Sequence, residues 1–316
     1  MTLGIVLAAG KGRRMFSDLP KVAHPVLGRP MILRVLETAS SCGFDRLVTV
    51  IGHGRQLLEP LLAAGGYEWV VQEPQLGTAH AVGCAVGAFD ADEYCVLLGD
   101  VPLLRGETIR RLLSGRRKAG AAATVLTGFP PDPAGYGRVV RSSGDRIERI
   151  VEDRDAGPGD LSLREVNTGL MCFDGQALRN LLGRIGRGNA QNEYYLTDAV
   201  GLAAGDGLVC TAVTADEWGE VAGINDQYQL AEASRTLCAR VVESMMRSGV
   251  LFTDPVSVWV EDTVSVGRGT TVGRMVRLSG GASIGEGCLL GDGCIVSDAS
   301  IPPGTELPPY AVRCGR

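Results

Sequence analysis

Leu3-Gly4-Ile5-Val6-Leu7, running directly into Ala8-Ala9-Gly10-Lys11-Gly12-Arg13-Arg14-Met15, is the stretch that decides the fold. A short apolar run that ends in small residues and glycines reads as a buried strand passing into a tight turn. Such a turn lets the backbone approach an anion closely and aims N–H groups at it. The loop is not a Walker A motif, because Gly-x-x-x-x-Gly-Lys-Ser/Thr is absent. It is not the dinucleotide fingerprint either, because Met15 stands where the third glycine belongs. Lys11, Arg14 and Lys21 lie within eleven residues of one another, a density of cations that suits a polyphosphate.

Beyond this loop, strand and helix patterns alternate. Met31 to Cys42 has apolar residues at helical spacing, Leu47 to Ile51 and Glu68 to Val71 read as strands, Thr78 to Phe89 as helix, and Tyr94 to Leu98 as a buried strand. Such alternation predicts an α/β fold whose mainly parallel sheet is covered on both faces. A long helix follows Asn225, with Leu230, Ala233, Leu237, Val241 and Met245 on one face.

After Gly249 the period changes. Val260, Val266, Val272, Leu278, Ile284, Leu290 and Val296 recur every six residues, and Gly267, Gly273, Gly285 and Gly291 directly follow four of them. Two positions before each stand Val258, Val264, Thr270, Val276, Ala282, Cys288 and Cys294. A hexad repeat marks a parallel β-helix, and about three hexads per coil predict two to three coils. The competing reading is a meander of short strands. The expected division is residues 1–249 and 250–316.

The 316 residues are 45% hydrophobic and 21% charged, with a formal net charge of −5. These values fit a water-soluble globular protein and give no basic patch for nucleic acid or a membrane surface. No apolar run approaches the length of a membrane span, and the N-terminal strand does not read as a signal peptide. The nine cysteines are odd in number and lack Cys-x-x-Cys spacing, which points to free thiols in a reducing compartment. Lysine occurs only at Lys11, Lys21 and Lys118 among 31 basic residues, so two of the three fall in the first 21 positions. A lysine kept where arginine is the habit signals a compact point charge, although chance is the plainer explanation.

Leu7-Ala8-Ala9-Gly10-Lys11-Gly12-x-Arg14-Met15, followed by Leu19-Pro20-Lys21, resembles the opening of sugar-nucleotide pyrophosphorylases, above all the uridylyltransferase half of bacterial N-acetylglucosamine-1-phosphate uridylyltransferases. Gln72-x-x-Gln75-Leu76-Gly77-Thr78-Ala79-His80-Ala81, Leu98-Gly99-Asp100-Val101-Pro102-Leu103, Gly135-Tyr136-Gly137-Arg138, Ile150-Val151-Glu152, Asn167-Thr168-Gly169, Glu193-Tyr194-Tyr195-Leu196-Thr197-Asp198 and Gly223-Ile224-Asn225 continue the match in order. The resemblance covers roughly residues 1 to 250 and is specific as a combination.

The resemblance implies a Rossmann-like nucleotidyltransferase domain followed by a short hexapeptide-repeat, left-handed β-helix. It assigns Lys11, Arg14 and Lys21 to the phosphates and Leu7, Ala8, Ala9, Gly10, Gln72, Gly77, Thr78 and Gly99 to the nucleotide. It assigns Gly137, Glu152, Asn167, Tyr194 and Thr197 to the sugar, and Asp100 and Asn225 to a magnesium ion. By pattern alone Asn225 is as well placed to cap the long helix, Gln72 to face solvent at a strand end, and Glu152 to end a hairpin strand.

The implied reaction joins UTP and N-acetylglucosamine-1-phosphate into UDP-N-acetylglucosamine and pyrophosphate in the cytoplasm. The alternatives are a related pyrophosphorylase using another sugar phosphate or dTTP, and a nucleotide-binding scaffold without turnover. The repeat segment is expected to serve as a cap or as a homo-oligomer contact. Many relatives carry a second activity, acetylation of an amino sugar, on a long β-helix. Residues 250–316 are short for that and contain neither His nor Lys. An acetyl-transfer site without a histidine base would be unusual. Purified chain incubated with acetyl-CoA and glucosamine-1-phosphate is therefore expected to release no thiol above background; measurable acetylation would overturn this reading.

Overall fold

A computed structural model describes residues 1–142 and 145–315. By packing, the chain divides into a first unit of Met1–His24 and Pro30–Asp226 and a second of Pro25–Arg29 and Gln227–Arg316.

In the first unit the strands are β1 (Thr2–Ala8), β2 (Arg46–Ile51), β3 (Glu68–Val71), β4 (Glu93–Leu98), β5 (Ala123–Gly128), β6 (Arg138–Arg141), β7 (Ile147–Val151), β8 (Val166–Asp174) and β9 (Cys210–Thr214). They form one sheet in the order β9-β5-β8-β4-β1-β2-β3, with the β6–β7 hairpin attached through β8. β1 pairs in parallel with β2 and β4, β2 with β3, and β9 with β5. β8 alone on this path runs against its neighbours β4 and β5. The sheet is thus mixed but mainly parallel.

Alternation along β1 supplies two cores, because successive side chains leave opposite faces of a strand. Leu3 and Ile5 join Ala79, Val82 and Ala85 on one face. Val6 and Ala8 join Ile32, Val35, Leu36, Leu58, Leu62, Ile109 and Leu112 on the other. The helices that carry these residues are α1 (Met31–Ser40), α2 (Arg55–Ala64), α3 (Thr78–Ala88) and α4 (Gly106–Ala119), so both faces are covered. Among the described residues no helix is long and apolar enough to cross a membrane. All nine cysteines are free.

The second unit contains a helix, Gln227–Arg247, and a parallel β-helix. Its short strands stack into three sheets of four, four and three strands, with Trp259 opposite Arg277, Ser265 opposite Ser283 and Thr271 opposite Leu289. Val258, Val264, Thr270, Val276, Ala282, Cys288 and Cys294 are all buried, and the hexad series from Val260 to Val296 is buried apart from Val266, which is half-buried. The stack is longer than the two to three coils expected. Ile301 follows Val296 by five residues rather than six, and pairing then continues through Ile301, Leu307 and Cys314. One shortened corner hides this last turn from a strict hexad count. Glycines mark corners where the next coil passes too close for a side chain: a Cβ on Gly285 would lie 2.4 Å from the Pro303 nitrogen. Segment 25–29 belongs to this unit, with Leu27 buried beside Cys238 and Val242.

β4 starts at Glu93, which is 3% exposed. Arg116 Nε donates to its Oε1 at 2.5 Å, and Arg117 Nη2 donates to its Oε2 at 2.6 Å. Burial pushes the Glu93 carboxyl up, but the hydrogen bonds from Arg117 and Arg116 outweigh it, and the group ends below the usual glutamate range. Its contribution to stability is present above the unfolded-state pKa and lost as pH falls through the lower folded value. Glu93→Gln should cost on the order of 2–3 kcal/mol at neutral pH, less than a fully buried pair because Arg117 is half exposed. Urea melts should show the gap to the parent protein closing below pH ~4; a gap that persists there would remove the ion pairs as its cause.

Candidate active site

The site lies where β1 and β4 end, the edge at which open α/β sheets take ligands. The Gly99 N–H donates to Leu7 O at 2.9 Å, the His53 N–H to Ala9 O at 3.2 Å, and the Gln72 N–H to Ile51 O at 2.8 Å. These bonds continue the sheet beyond its strands and hold the loops in place. A cavity of about 660 Å³ opens there. Of the expected residues, Leu7, Ala8, Ala9, Gly10, Lys11, Lys21, Gln72, Gly77, Thr78 and Asp100 line it. A Cβ on Gly10 would meet nothing within 4 Å, so the backbone is open to a ligand at that point.

Lys21 ties three segments together. Its ammonium donates to Asp100 Oδ2, and to Asn225 Oδ1 at 3.2 Å. The Ile224 N–H in turn donates to Asp100 O at 2.9 Å, bringing segment 223–225 against the end of β4. A carboxylate oxygen and an amide oxygen from distant parts of the chain thus converge on one positive charge. The long helix starts at Gln227, which puts Asp226, not Asn225, immediately before it. Gly12 is left-handed with φ 56°, and a Cβ there would lie 2.5 Å from the Lys21 Cβ. The loop therefore packs directly on the lysine stem.

Gln72 is not a solvent-facing strand end. It is 3% exposed, and its Nε2 donates to Gly77 O at 2.9 Å. Gly77 has φ 113°, and a Cβ there would lie 2.6 Å from Tyr194 O, so no larger residue fits. Thr78 Oγ1 accepts from the Leu196 N–H at 2.9 Å.

A second group of expected residues gathers near the β6–β7 hairpin. Thr197 Oγ1 donates to Glu152 Oε1 at 2.9 Å, and the Asn167 N–H donates to Gly137 O at 2.8 Å. Asn167 precedes an irregularity in the β8–β5 pairing, and its Oδ1 accepts from the Gly169 N–H at 2.9 Å. Burial raises the Glu152 carboxyl above its usual range; the Asp198, Asp155 and Asp153 carboxylates add to this, while the Thr197 hydroxyl opposes it.

Arg14 and Tyr194 are not among the residues that line the cavity of about 660 Å³. Arg14 is exposed in a short turn, Arg13–Met15, with its charge felt by the Tyr136 phenol. Tyr194 lines a different cavity, of about 580 Å³, and its backbone pairs with the segment around Leu76 and Ala79. Arg13, Gln75, Arg154, Gln191 and Glu193 also line the larger cavity and were not anticipated. Arg13 and Gln75 stood inside quoted motifs, whereas Arg154 and Gln191 had no pattern to mark them. With Lys11 and Lys21, the arginines make four cations against the Asp100 and Glu193 carboxylates.

Residues 4–162 match the family model described as a MobA-like NTP transferase domain. The chain is 44% identical over 279 residues to the bifunctional protein GlmU of Pelobacter propionicus, covering 87% of this chain and 61% of that protein. It is 43% identical over 280 residues to the GlmU of Geobacter sulfurreducens, covering 88% and 59%. The chain thus spans about three fifths of the length of these curated relatives. A crystal structure of UDP-glucose pyrophosphorylase complexed with UDP-glucose is similar in fold, with 17% identity, a TM-score of 0.61, and 75% of this chain and 98% of that one covered.

As a carboxylate Glu152 would offer all its lone pairs to hydroxyls, whereas protonation turns one oxygen into a donor, and burial raises its pKa so that protonation comes closer to neutrality. If the sugar role that the resemblance assigns to Glu152 holds, kcat/KM for a sugar-phosphate substrate should fall on acidification earlier than an ordinary carboxylate allows. Glu152→Gln should lose that limb while keeping the limb due to the substrate's own phosphate, which ionises near pH ~6. Identical pH profiles for the two proteins would remove Glu152 from the sugar site.

Proposed function

Because the chain belongs to the MobA-like NTP transferase family, and is thus a nucleotidyltransferase, we propose that it is a sugar-1-phosphate nucleotidylyltransferase that makes UDP-N-acetylglucosamine and pyrophosphate from UTP and N-acetylglucosamine-1-phosphate. The motif series from Leu7 to Asn225 and the match to the GlmU proteins support this reading. The observation that carries it is the convergence of Asp100 Oδ2 and Asn225 Oδ1 on the Lys21 ammonium at the mouth of the glycine loop.

Those two oxygens fit a magnesium ion by their chemistry. Both are hard donors, they already converge on a positive charge, and magnesium commonly takes few protein ligands and completes its shell with water and phosphate. No group of three or more His, Cys, Asp or Glu among the described residues offers a fuller protein cage. When bound, the ion would supply charge neutralisation of the phosphate oxygens. The residues then do the following. The Gly10 backbone and Lys11 bind the triphosphate, and Lys21 holds the sugar's phosphate. Gln72 and Gly77 meet the base. Glu152 and Asn167 meet the sugar. A sugar phosphate is largely ionised at neutral pH, so no side-chain base is required for in-line attack on the α-phosphorus. Positioning and charge stabilisation account for the rate.

Residues 1–249 are proposed to carry this reaction, and 250–316 to act as a cap or a contact between copies of the chain. The free cysteines support a cytoplasmic setting. Pyrophosphate release should be fastest with UTP and N-acetylglucosamine-1-phosphate in a panel that includes dTTP, CTP, glucose-1-phosphate and glucosamine-1-phosphate, and should stop with a chelator. Preference for glucose-1-phosphate would keep the reaction type and overturn the sugar. Absence of pyrophosphate with every pair would favour a non-catalytic scaffold.

A further inference from the structure

We propose that His80 is a positioning residue for nucleobase selection: it holds the Gln72 amide so that only the carbonyl oxygen of that side chain is offered to the base. The proposal rests on the reading of Gln72 as a base contact. Gln72 Nε2 lies 2.9 Å from Gly77 O and 3.1 Å from His80 Nδ1. A backbone carbonyl can only accept, so the NH₂ end of the amide must face Gly77. The second amide hydrogen then points to His80, whose Nδ1 must carry a lone pair, which places the proton of the neutral ring on Nε2. Both amide hydrogens are committed, and Oε1 is what Gln72 has left for a ligand in the cavity it lines.

The two acceptors are held firmly. Gly77 is locked by its positive φ and its contact with the Tyr194 backbone. His80 sits in the first turn of α3, whose Ala79 N–H donates to Tyr194 O at 2.9 Å. The Gly77 carbonyl alone would fix one hydrogen and leave the other to serve a ligand. The His80 ring occupies that other hydrogen. Set opposite N3, an acceptor-only side chain complements the N3–H of uracil and meets lone pair against lone pair at N3 of cytosine, whose one edge donor is the neighbouring N4 amino group. At that position His80 converts a side chain that could pair with either base into one that selects against cytosine. A site built for one hydrogen-bonding pattern rejects its mismatch far more strongly than it rejects a mere change of size.

The test measures UTP and CTP with the full chain, both by pyrophosphate release and by equilibrium binding. Gln72→Ala comes first: it should collapse the preference for UTP over CTP, and if the preference survives, the base reading fails and the proposal with it. His80→Phe should then raise KM for UTP about tenfold, with kcat at saturation changed by no more than about twofold. It should also cut the UTP:CTP ratio about tenfold, since a freed amide hydrogen can serve cytosine. His80→Asn, which restores an acceptor oxygen, should recover most of both. A His80→Phe protein that keeps the parent ratio while Gln72→Ala loses it overturns the role of His80 and leaves the base contact standing. A fall in kcat without a change of ratio overturns it equally. Should His80→Phe fail to melt cooperatively, His80→Leu makes the same comparison.

Discussion

The first unit depends on the burial of β1 on both faces and along both edges. Leu3, Ile5 and Val6 are fully buried, and β2 and β4 pair with the strand on either side. A strand so enclosed has only its ends free. Its C-terminal end must emerge at the rim of the sheet, and Ala8 to Gly10 line the cavity there. The chemistry of the loop follows from a packing constraint. Gly12 must be small because a Cβ there would meet the Lys21 stem, while Gly10 has open space around it, which leaves room for a ligand.

β4 carries a buried or half-buried carboxylate at each end, with different surroundings. At its start, two arginines from one helix satisfy Glu93, and the cost of taking the charges out of water is offset by several short hydrogen bonds. Just past its other end, Asp100 meets one lysine from the loop region and stays beside open space. The first arrangement is closed and holds helix to strand. The second leaves its partners beside open space, able to exchange for a ligand's charges.

The second unit is organised by repetition. Each coil passes over the one before, so apolar residues and glycine corners recur at the coil's own spacing. Thr270 shows how a polar residue enters that interior: its hydroxyl donates to Gly285 O at 2.8 Å and accepts from the Cys288 N–H at 3.1 Å. The backbone groups of the adjacent coil are satisfied by the side chain, so the buried hydroxyl carries little penalty.

From sequence alone, the apolar run Leu3 to Leu7 identified the first strand, the alternation after it the covered sheet, and the hexads the β-helix. These are local signals, because periodicity records which face of an element is buried whatever it is buried against. The ordered motifs were local too, and they named most residues that line the cavity. Three things needed the tertiary structure. The reversal of β8 between two parallel neighbours has no local signature, because a strand buried on both faces reads alike in either direction. Arg154 and Gln191 enter the cavity from segments whose spacing carries no period. The meeting of Lys21 with Asp100 and Asn225, 79 and 204 residues further on, is a fact of chain folding. Sequence specified which groups could carry charge or hydrogen bonds, and three-dimensional packing chose which of them share one point in space.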